Sequence, residues 1–452
     1  MSGTDDITAF ANYFASLNAH TLAAPVLENA KACLLYGLAV GIGTRRARPA
    51  KLALDATLRQ RESGATTRLI DGTLVSHGSA AFANAVLLSG RVQGDSHPCG
   101  HIGGVVIPAA LASAENENAN GATLLSGLVA GYESALRIGR DHSADLSLRG
   151  FRTTPSYGVF GAAVATGRIC GFDGATMRNA IGLAANFAGG LREYVDLGTE
   201  ESPFQAGFAA RNGVYVADLA ACGIQSTPNA LHGGAGFYRA FGKKNIDYGR
   251  RLIDKLGNQF EFTSVTYKQY PACQFLRGII RGLGALRGEA HGAPVQAMDI
   301  RMNPYEADFI GVRFTGPFTS AAQTVMSAPF CAALAWTSGT ASFDGLRKFD
   351  DPAVNALVPR IRIITDAERK LYEPHIVVLL ADGRKLEWIE QAGDSNYRVT
   401  WAAATSMAHQ LCEEAGVSRA AAQALIDVAA EIESSPSVRP LVAAVCAATT
   451  HA

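Results

Sequence analysis

Helical periodicity dominates the first 260 residues and limits the folds that this chain can adopt. Apolar side chains recur three and four residues apart, as in Leu22-Val26-Leu27-Ala30-Leu34 and Leu124-Leu128-Tyr132-Leu136, which places them on one face of a helix. Residues 120–123 and 171–174 have the pattern of one helix ending and another beginning. The first part of the chain is therefore predicted to be a large all-helical domain.

The pattern changes near residue 265, where strands alternate with helices. Four segments have strand character, and Asp382-Gly383 predicts a hairpin turn between the last two: 298–302, 360–364, 375–380 and 385–388. Helical stretches at 273–288 and 319–337 lie among them. We predict a mainly α protein with a helical domain over 1–264 and 400–452 and a smaller α/β lid domain over 265–399.

Charge and composition exclude several classes of function. The 40 Lys and Arg residues balance 40 Asp and Glu residues, and no basic run is present, so we expect no nucleic-acid and no membrane partner. The first ten residues, MSGTDDITAF, lack the basic and apolar regions of a secretory signal. We therefore expect a cytoplasmic protein.

The densest polar cluster lies between two apolar helices predicted over 78–90 and 104–115. It holds two imidazoles, a carboxylate, a guanidinium, an amide and a hydroxyl within eleven residues: Arg91, Gln93, Asp95, Ser96, His97 and His101. Apolar surroundings rarely hold so many polar groups without a use, so we interpret the cluster as a candidate site. The following helix would direct its first N–H groups at the loop and attract a carboxylate or phosphate.

A metal site is a formal alternative, because Asp95, His97 and His101 offer a carboxylate and two imidazoles. Histidines four residues apart suit one metal ion when they lie on a helix, and Pro98 and Gly100 disfavour a helix here. We therefore expect neither a metal nor a cofactor. The structural alternative for either histidine by itself is that it fills or caps a turn.

Two other helical segments offer substrate-binding groups. Arg152, in the segment 149–161, can clamp a carboxylate with two hydrogen bonds, with a surface ion pair as the alternative. Tyr157 in the same segment also suits packing. Gln205 and Arg211 project from a helix of small residues, where an arginine needs a buried partner.

Lys268 lies in the segment YKQYPACQ, at the predicted domain boundary. A lysine among aromatic rings at such a boundary can bind an anion or carry a proton. The alternative is a surface lysine whose stem covers apolar area. The chain has no Walker A loop, no GxSxG, no HExxH and no GxGxxG after a strand, so nucleotide and common hydrolase chemistry lack support.

Seven stretches together resemble the MmgE/PrpD superfamily, which includes 2-methylcitrate dehydratase, cis-aconitate decarboxylase and iminodisuccinate epimerase. They cover nearly the full chain in the order of the family: HGSAAFANAVL at 77–87, HIGGVVIPAALASAE at 101–115, GYESALRIGR at 131–140, GFRTTPSYGVFGAA at 150–163, GFAARNGVYVADLAACG at 207–223, GGAGFYRAFG at 233–242 and YKQYPACQ at 267–274. The resemblance implies a cofactor-independent cytoplasmic homodimer whose active site lies between a helical domain and an α/β lid.

The resemblance also implies roles for individual residues. His101 falls on the loop histidine of the family, Asp95 and Ser96 fall near its Asp-Asp-Thr/Ser element, and Lys268 falls on the lysine of its K-x-Y-P motif. We accordingly predict two sets, a catalytic one and a substrate-binding one: His101, Asp95, Lys268 and His97; and Arg91, Gln93, Ser96, Arg152, Tyr157, Gln205 and Arg211.

Four positions depart from the family pattern and indicate a divergent subfamily. Arg91-Val-Gln93 stand where the first aspartate of the family's D-[FY]-D-D loop is expected, and Arg152 stands in place of a histidine. Residues 201–203 lack an expected lysine, and Phe330 stands in place of a tyrosine.

The branches of the family share one chemical problem, which is the loss of a proton or CO₂ from a carbon next to a carboxylate. This needs a positioned base and fixed positive charge. The resemblance therefore implies a lyase, either a dehydratase or a decarboxylase, acting on a small di- or tricarboxylate. His101, oriented by Asp95, would be the base or acid, and Lys268 the opposing proton donor or anion clamp. Two alternatives stay open, an isomerase or epimerase with the same first step and a catalytically silent binding paralogue.

Overall fold

The computed structural model describes residues 3–243 and 246–450. The chain divides into two compact units. The larger comprises the chain up to Arg192, Glu201–Val265 and the chain from Val399, and the smaller comprises Glu193–Glu200 and Thr266–Arg398. The principal boundaries lie one residue from those predicted from sequence, whereas the segment Glu193–Glu200, predicted in the helical domain, groups with the smaller unit.

Among the residues described, the regular secondary structure of the larger unit is helical apart from one short hairpin, and the predicted mainly α fold is confirmed. Its helices and the two hairpin strands are, in chain order, α1 Gly3–Ser16, α2 Ala24–Thr44, α3 Arg48–Gln60, β1 Thr66–Arg68, β2 Thr73–Val75, α4 His77–Ser89, α5 Gly103–Asn116, α6 Gly121–Gly139, α7 Ser143–Leu148, α8 Thr153–Ile169, α9 Gly174–Ala184, α11 Glu201–Ala221, α12 Phe237–Phe241, α18 Trp401–Glu414, α19 Arg419–Ala430 and α20 Arg439–Thr450. The sequence did not predict the antiparallel β1–β2 hairpin, which turns through Gly72 at φ 73°.

Small residues bring the central helices α6 and α8 into close contact. A Cβ atom added to Gly131 on α6 would lie 2.7 Å from the carbonyl oxygen of Gly161 on α8, and the reverse substitution would meet the Gly131 carbonyl at the same distance. Side chains are therefore excluded at this crossing. Asn120 and Asp173 begin α6 and α9 by accepting backbone N–H bonds from Thr123 and Thr176, both at 2.8 Å, as the turn-and-start patterns predicted.

Within residues 3–243 and 246–450, one helix, α2, is long and apolar enough by length and composition to cross a membrane. However, 72% of its apolar stretch is buried inside the protein, where α2 packs against α4 and α18. Its composition is accounted for by its position as a core helix.

The smaller unit contains a four-stranded sheet with helices packed on it. Its elements are α10 Tyr194–Leu197, α13 Arg277–Glu289, β3 Val295–Met302, α14 Pro304–Ala307, α15 Ala321–Thr324, α16 Ala328–Ser338, α17 Pro352–Leu357, β4 Ile361–Thr365, β5 His375–Leu380 and β6 Lys385–Ile389. The strand order is β4-β3-β5-β6, parallel for β3–β4 and antiparallel for the other two pairs. Buried and partly exposed residues alternate along β5, because only one face is covered by α13 and α16.

Candidate active site

The loop between α4 and α5 carries the polar cluster, and its central carboxylate is buried. Asp95 is 5% exposed. Its Oδ1 accepts the backbone N–H of Gly103 at 3.1 Å, and its Oδ2 accepts the hydroxyl of Tyr132 at 2.5 Å. Asp95 therefore sits at the N-terminus of α5, where the helix dipole stabilises a negative charge. The sequence led us to expect that the first N–H groups of α5 would bind an external carboxylate or phosphate. That expectation is corrected for Gly103, because its N–H donates to the carboxylate of Asp95.

His101 is held by its ring and by its backbone. Its Nδ1 atom lies 2.6 Å from the backbone carbonyl oxygen of Asp95, and its N–H donates to the Thr154 hydroxyl on α8 at 3.0 Å. A carbonyl oxygen only accepts hydrogen bonds, so the Nδ1 atom must carry the proton, and the neutral ring then has its lone pair on Nε2. Asp95 does orient His101 in this contact, through its carbonyl rather than its carboxylate.

His97 has the opposite ring tautomer. The backbone N–H of Cys99 donates to His97 Nδ1 at 3.1 Å, so neutral His97 carries its ring proton on Nε2. His97 and Gly100 also exchange two backbone hydrogen bonds, at 3.0 and 2.8 Å, which close a tight turn. Gly100 has φ 114°, and a Cβ there would lie 2.9 Å from the backbone nitrogen of Thr154. Glycine thus lets the loop approach the start of α8.

Arg91 and Gln93 are engaged with protein groups. Arg91 is 3% exposed, and its guanidinium donates to the Gln93 amide oxygen at 2.9 Å, to the Gly43 carbonyl at 3.1 Å and to Glu414 on α18 at 2.5 Å. The Gln93 carbonyl accepts the hydroxyl of Tyr36. These contacts anchor the loop to the helices around it and do not support the predicted substrate-binding role of either residue. Ser96 is also buried in this loop, at 2% exposure.

Arg152 and Gln205 are brought together, as a shared site requires. Arg152 lies immediately before α8, and its Nη1 atom donates to the Ser202 carbonyl at 2.5 Å and to the Gln205 side-chain oxygen at 3.4 Å. The Gln205 amide in turn donates to the Leu191 carbonyl at 2.9 Å. Arg152 is two positions from Thr154, the residue that bonds the backbone of His101. The start of α8 therefore links a guanidinium to the histidine loop.

Tyr157 and Arg211 do not have the environments that the sequence predicted for substrate-binding groups. Tyr157 is fully buried, and its hydroxyl lies 2.9 Å from Nδ1 of His142, in a cluster of rings that includes Phe237. It packs in the core because a helix of small residues leaves room for one large ring. Arg211 is exposed on α11, so the expectation of a buried partner for it was wrong.

Lys268 belongs to the smaller unit and is 1% exposed, which overturns the alternative of a surface lysine. Burial raises the pKa of the nearby Cys273 thiol, and the Lys268 ammonium opposes that rise. Phe330, which stands where the family has a tyrosine, is buried on α16 against Phe318. Lys268 remains a predicted catalytic residue.

Sequence reasoning missed a buried acid in the smaller unit. Glu306 is 0% exposed, and burial raises its pKa to about 7, opposed by the backbone N–H of Tyr372, which donates to Oε1 at 2.7 Å, and by the charge of Arg277. Its Oε2 is buried without a hydrogen-bond partner among the described residues. Only the tertiary structure reveals that this carboxyl is buried, because the sequence PYEAD at 304–308 has the composition of an ordinary polar turn.

The second group that the sequence left out is Tyr132, which the helical pattern assigned only to an apolar stripe. Its hydroxyl was the available signal, because a buried hydroxyl needs a partner. For metals, no group of three or more His, Cys, Asp or Glu side chains within residues 3–243 and 246–450 has an arrangement that could hold an ion.

Comparison with known proteins identifies the family of this chain. A family model for the MmgE/PrpD N-terminal domain matches residues 8–248. The chain belongs to the MmgE/PrpD family. The match contains the loop with Asp95 and His101, the start of α8 and most of the helical unit.

Relatives of this MmgE/PrpD protein include cis-aconitate decarboxylase of Aspergillus terreus, 28% identical over 279 residues, or 58% of this chain and 56% of the relative. The cis-aconitate decarboxylase-like protein oryM of Aspergillus oryzae is 27% identical over 291 residues, or 61% and 60%. The cis-aconitate decarboxylase of Homo sapiens is 27% identical over 203 residues, or 43% and 41%. The matched segment thus spans about three fifths or less of each relative.

Proposed function

We propose that this protein is a cofactor-independent lyase acting on a small di- or tricarboxylate, with decarboxylation favoured over dehydration. The observation that carries the proposal is the contact between His101 Nδ1 and the Asp95 carbonyl, which places the proton of the neutral ring on Nδ1 and leaves Nε2 as the nitrogen that can take up or release a proton. The names of the relatives, all cis-aconitate decarboxylases or like them, support decarboxylation as the first reaction to test.

One nitrogen of His101 serves either reaction. In decarboxylation the carbon–carbon bond breaks, CO₂ departs, and the electron pair moves toward a remaining carboxylate. Protonated Nε2 then delivers a proton to carbon. In dehydration, the unprotonated Nε2 of the neutral ring removes a proton from the carbon next to a carboxylate and then returns it to the hydroxyl group on the neighbouring carbon, which leaves as water while the carbon–carbon double bond forms. Both reactions need an acid–base group whose pKa lies near neutral pH, and an imidazole ordinarily has such a pKa.

Substrate carboxylates need fixed positive charge. We propose that Arg152 supplies part of it, because Arg152 lies at the start of α8, two positions from Thr154, whose hydroxyl accepts the backbone N–H of His101. Lys268 is proposed as a second cation or proton donor, on the strength of its burial and of the K-x-Y-P motif. Replacement of Lys268 by Met tests this directly, since loss of turnover with unchanged folding supports a catalytic role.

Proton NMR in D₂O tests the reaction class. Purified protein treated with chelator would be incubated with citrate, 2-methylcitrate, cis-aconitate and iminodisuccinate, with His101→Ala as control. A new product together with released CO₂ or water supports the lyase. Deuterium incorporation next to a carboxylate without a new product would mean an isomerase. No change with any acid would count against this substrate class. The homodimer and the cytoplasmic location stay predictions, and light scattering after size-exclusion chromatography measures the former.

A further inference from the structure

Two buried tyrosines contact the histidine loop from the core of the larger unit. Tyr36 on α2 and Tyr132 on α6 are 0% and 1% exposed. Tyr36 donates its hydroxyl to the Gln93 carbonyl, and Tyr132 donates its hydroxyl to the Asp95 carboxylate at 2.5 Å. Neither hydroxyl was anticipated from the sequence, and neither has a place in the chemistry described above.

The contact of Tyr132 is built into the packing around it. A Cβ added to Gly103 would lie 2.0 Å from the Tyr132 hydroxyl oxygen and 2.5 Å from Asp95 Oδ2. Only a glycine at the start of α5 leaves room for this hydroxyl and carboxylate to meet. With the Gly103 N–H on its other oxygen, the Asp95 carboxylate has a donor on each side, which restricts its rotation.

The same residue then orients the histidine. The carboxylate of Asp95 accepts from Tyr132, and the backbone carbonyl of Asp95 faces His101 Nδ1 at 2.6 Å. Because both groups belong to one residue, anchoring the carboxylate limits the positions that the Asp95 backbone can take, and with them the direction of its carbonyl. A change in that direction would release the Nδ1 proton and permit the other ring tautomer.

We propose that Tyr132 is a positioning residue that sets which ring nitrogen of His101 carries the proton. This rests on the proposed function, in which His101 Nε2 exchanges the proton with substrate. Tyr132 itself does not transfer a proton, because burial and the neighbouring Asp95 charge raise its pKa well above the ordinary value for tyrosine. Tyr132 therefore stays a neutral donor at and around neutral pH.

Replacement of Tyr132 by Phe removes the hydroxyl and leaves the ring, whose centroid lies 4.7 Å from that of Phe262. We expect kcat to fall by about tenfold or more with KM changed less than about twofold, because misplaced orienting partners of a catalytic histidine have effects of this kind. We also expect the ¹⁵N shifts of the His101 ring to move toward the Nε2–H tautomer. His101→Ala identifies those signals by their absence.

Tyr238→Phe is the matched control. Tyr238 is also buried, and its hydroxyl donates to the Ile138 carbonyl at 2.9 Å, so this variant removes a similar bond that does not involve Asp95. Its loss of thermal stability should resemble that of Tyr132→Phe, while its His101 signals and its pH–rate profile should match the wild type.

Three results separate the possibilities. If Tyr132→Phe leaves the His101 ring signals and the pH–rate profile as in the control, Tyr132 is merely structural and the inference is overturned. If the wild-type ring already carries its proton on Nε2, the inference is also overturned, and this measurement needs no variant to fold. If the signals shift in Tyr132→Phe but the wild type turns over no carboxylic acid, the inference stands and the proposed function fails.

Discussion

The Nδ1 atom of His101 lies 2.6 Å from the backbone carbonyl oxygen of Asp95. Since a peptide carbonyl has no proton to give, this contact alone assigns the tautomer of the neutral ring. His97, four positions earlier, accepts a backbone N–H at the same ring position and has the other tautomer. Two imidazoles that look equivalent in the sequence are therefore chemically distinct, and His101 is the one whose Nε2 suits a base.

Replacement of His101 by Ala should lower kcat at least 100-fold, because general acid–base groups contribute about 10²- to 10⁴-fold. The melting temperature should stay within a few degrees of the wild type, since the ring is only partly buried. His20→Ala, at an exposed histidine of the same unit, is the control and should leave the rate unchanged. A His101→Ala protein with near-normal kcat on the true substrate would remove His101 from the mechanism.

Replacement of Arg152 by Ala should raise KM by about tenfold or more, because a charge-assisted hydrogen bond contributes about 1.5–3 kcal/mol. Steady-state kinetics over a wide substrate range measures the change. Arg149→Ala is the control, since this nearby exposed arginine also donates to a backbone carbonyl, that of Gly242 at 2.7 Å. Equal KM values for the two variants would mean that Arg152 only anchors the start of α11.

Replacement of Gly103 by Ala should lower the free energy of unfolding by about 1–3 kcal/mol, as overpacking does. The new methyl group would meet the Tyr132 hydroxyl and the Asp95 carboxylate. Urea unfolding measures the effect. Gly288→Ala on α13 is the comparison, because nothing lies within 4 Å of its added Cβ and alanine should be neutral or slightly stabilising there. Similar values for the two variants would contradict the close contact.

Replacement of Glu306 by Gln should change how stability depends on pH. The folded-state pKa of about 7 lies above the ordinary value of 4.5, so the folded protein holds this proton more tightly than the unfolded chain does. The wild type therefore loses stability as the pH rises from 4.5 through 7, by about 3 kcal/mol in total. Glutamine keeps an oxygen for the Tyr372 N–H and has no proton to lose.

Unfolding free energies measured from pH 5 to pH 8.5 should thus fall less steeply for Glu306→Gln than for the wild type. Arg277, Asp394 and Cys273 also act electrostatically around this carboxyl, and they are present in both proteins. Glu368→Gln, at an exposed site in the loop before Tyr372, should reproduce the wild-type slope. Parallel curves for Glu306→Gln and the wild type would show that Glu306 does not titrate in this range.

Local patterns predicted the elements well where a single face is buried. The strand β5 covers 375–380 as expected, because alternate residues point toward the helices on the sheet. Helices α4 and α5 begin and end within one residue of their predicted bounds. The β1–β2 hairpin was missed because its strands have only three residues each, too few for a periodic pattern.

The candidate site was harder to predict, because the same residue types serve structure and chemistry. Arg91 and Gln93 were grouped with the histidines on grounds of polarity, and both hold the loop in place. Arg211 was expected to have a buried partner because its helix is rich in Ala and Gly, yet that face of α11 is exposed. Lys268 differs in the opposite direction, because a lysine that could have been an ordinary surface residue is buried.

The sequence by itself determined the mainly α class, the order along the chain of the four strands in the smaller unit, and the family, because these depend on periodicity and on motifs read along the chain. The tertiary structure decided the tautomer of His101, the anchoring of Asp95 and the use of Arg91. These depend on partners far apart in sequence: Tyr132 lies 37 positions from Asp95, and Glu414 lies 323 positions from Arg91. Hydrogen bonds are short and directional, so such partners are identified only when packing has brought their atoms together.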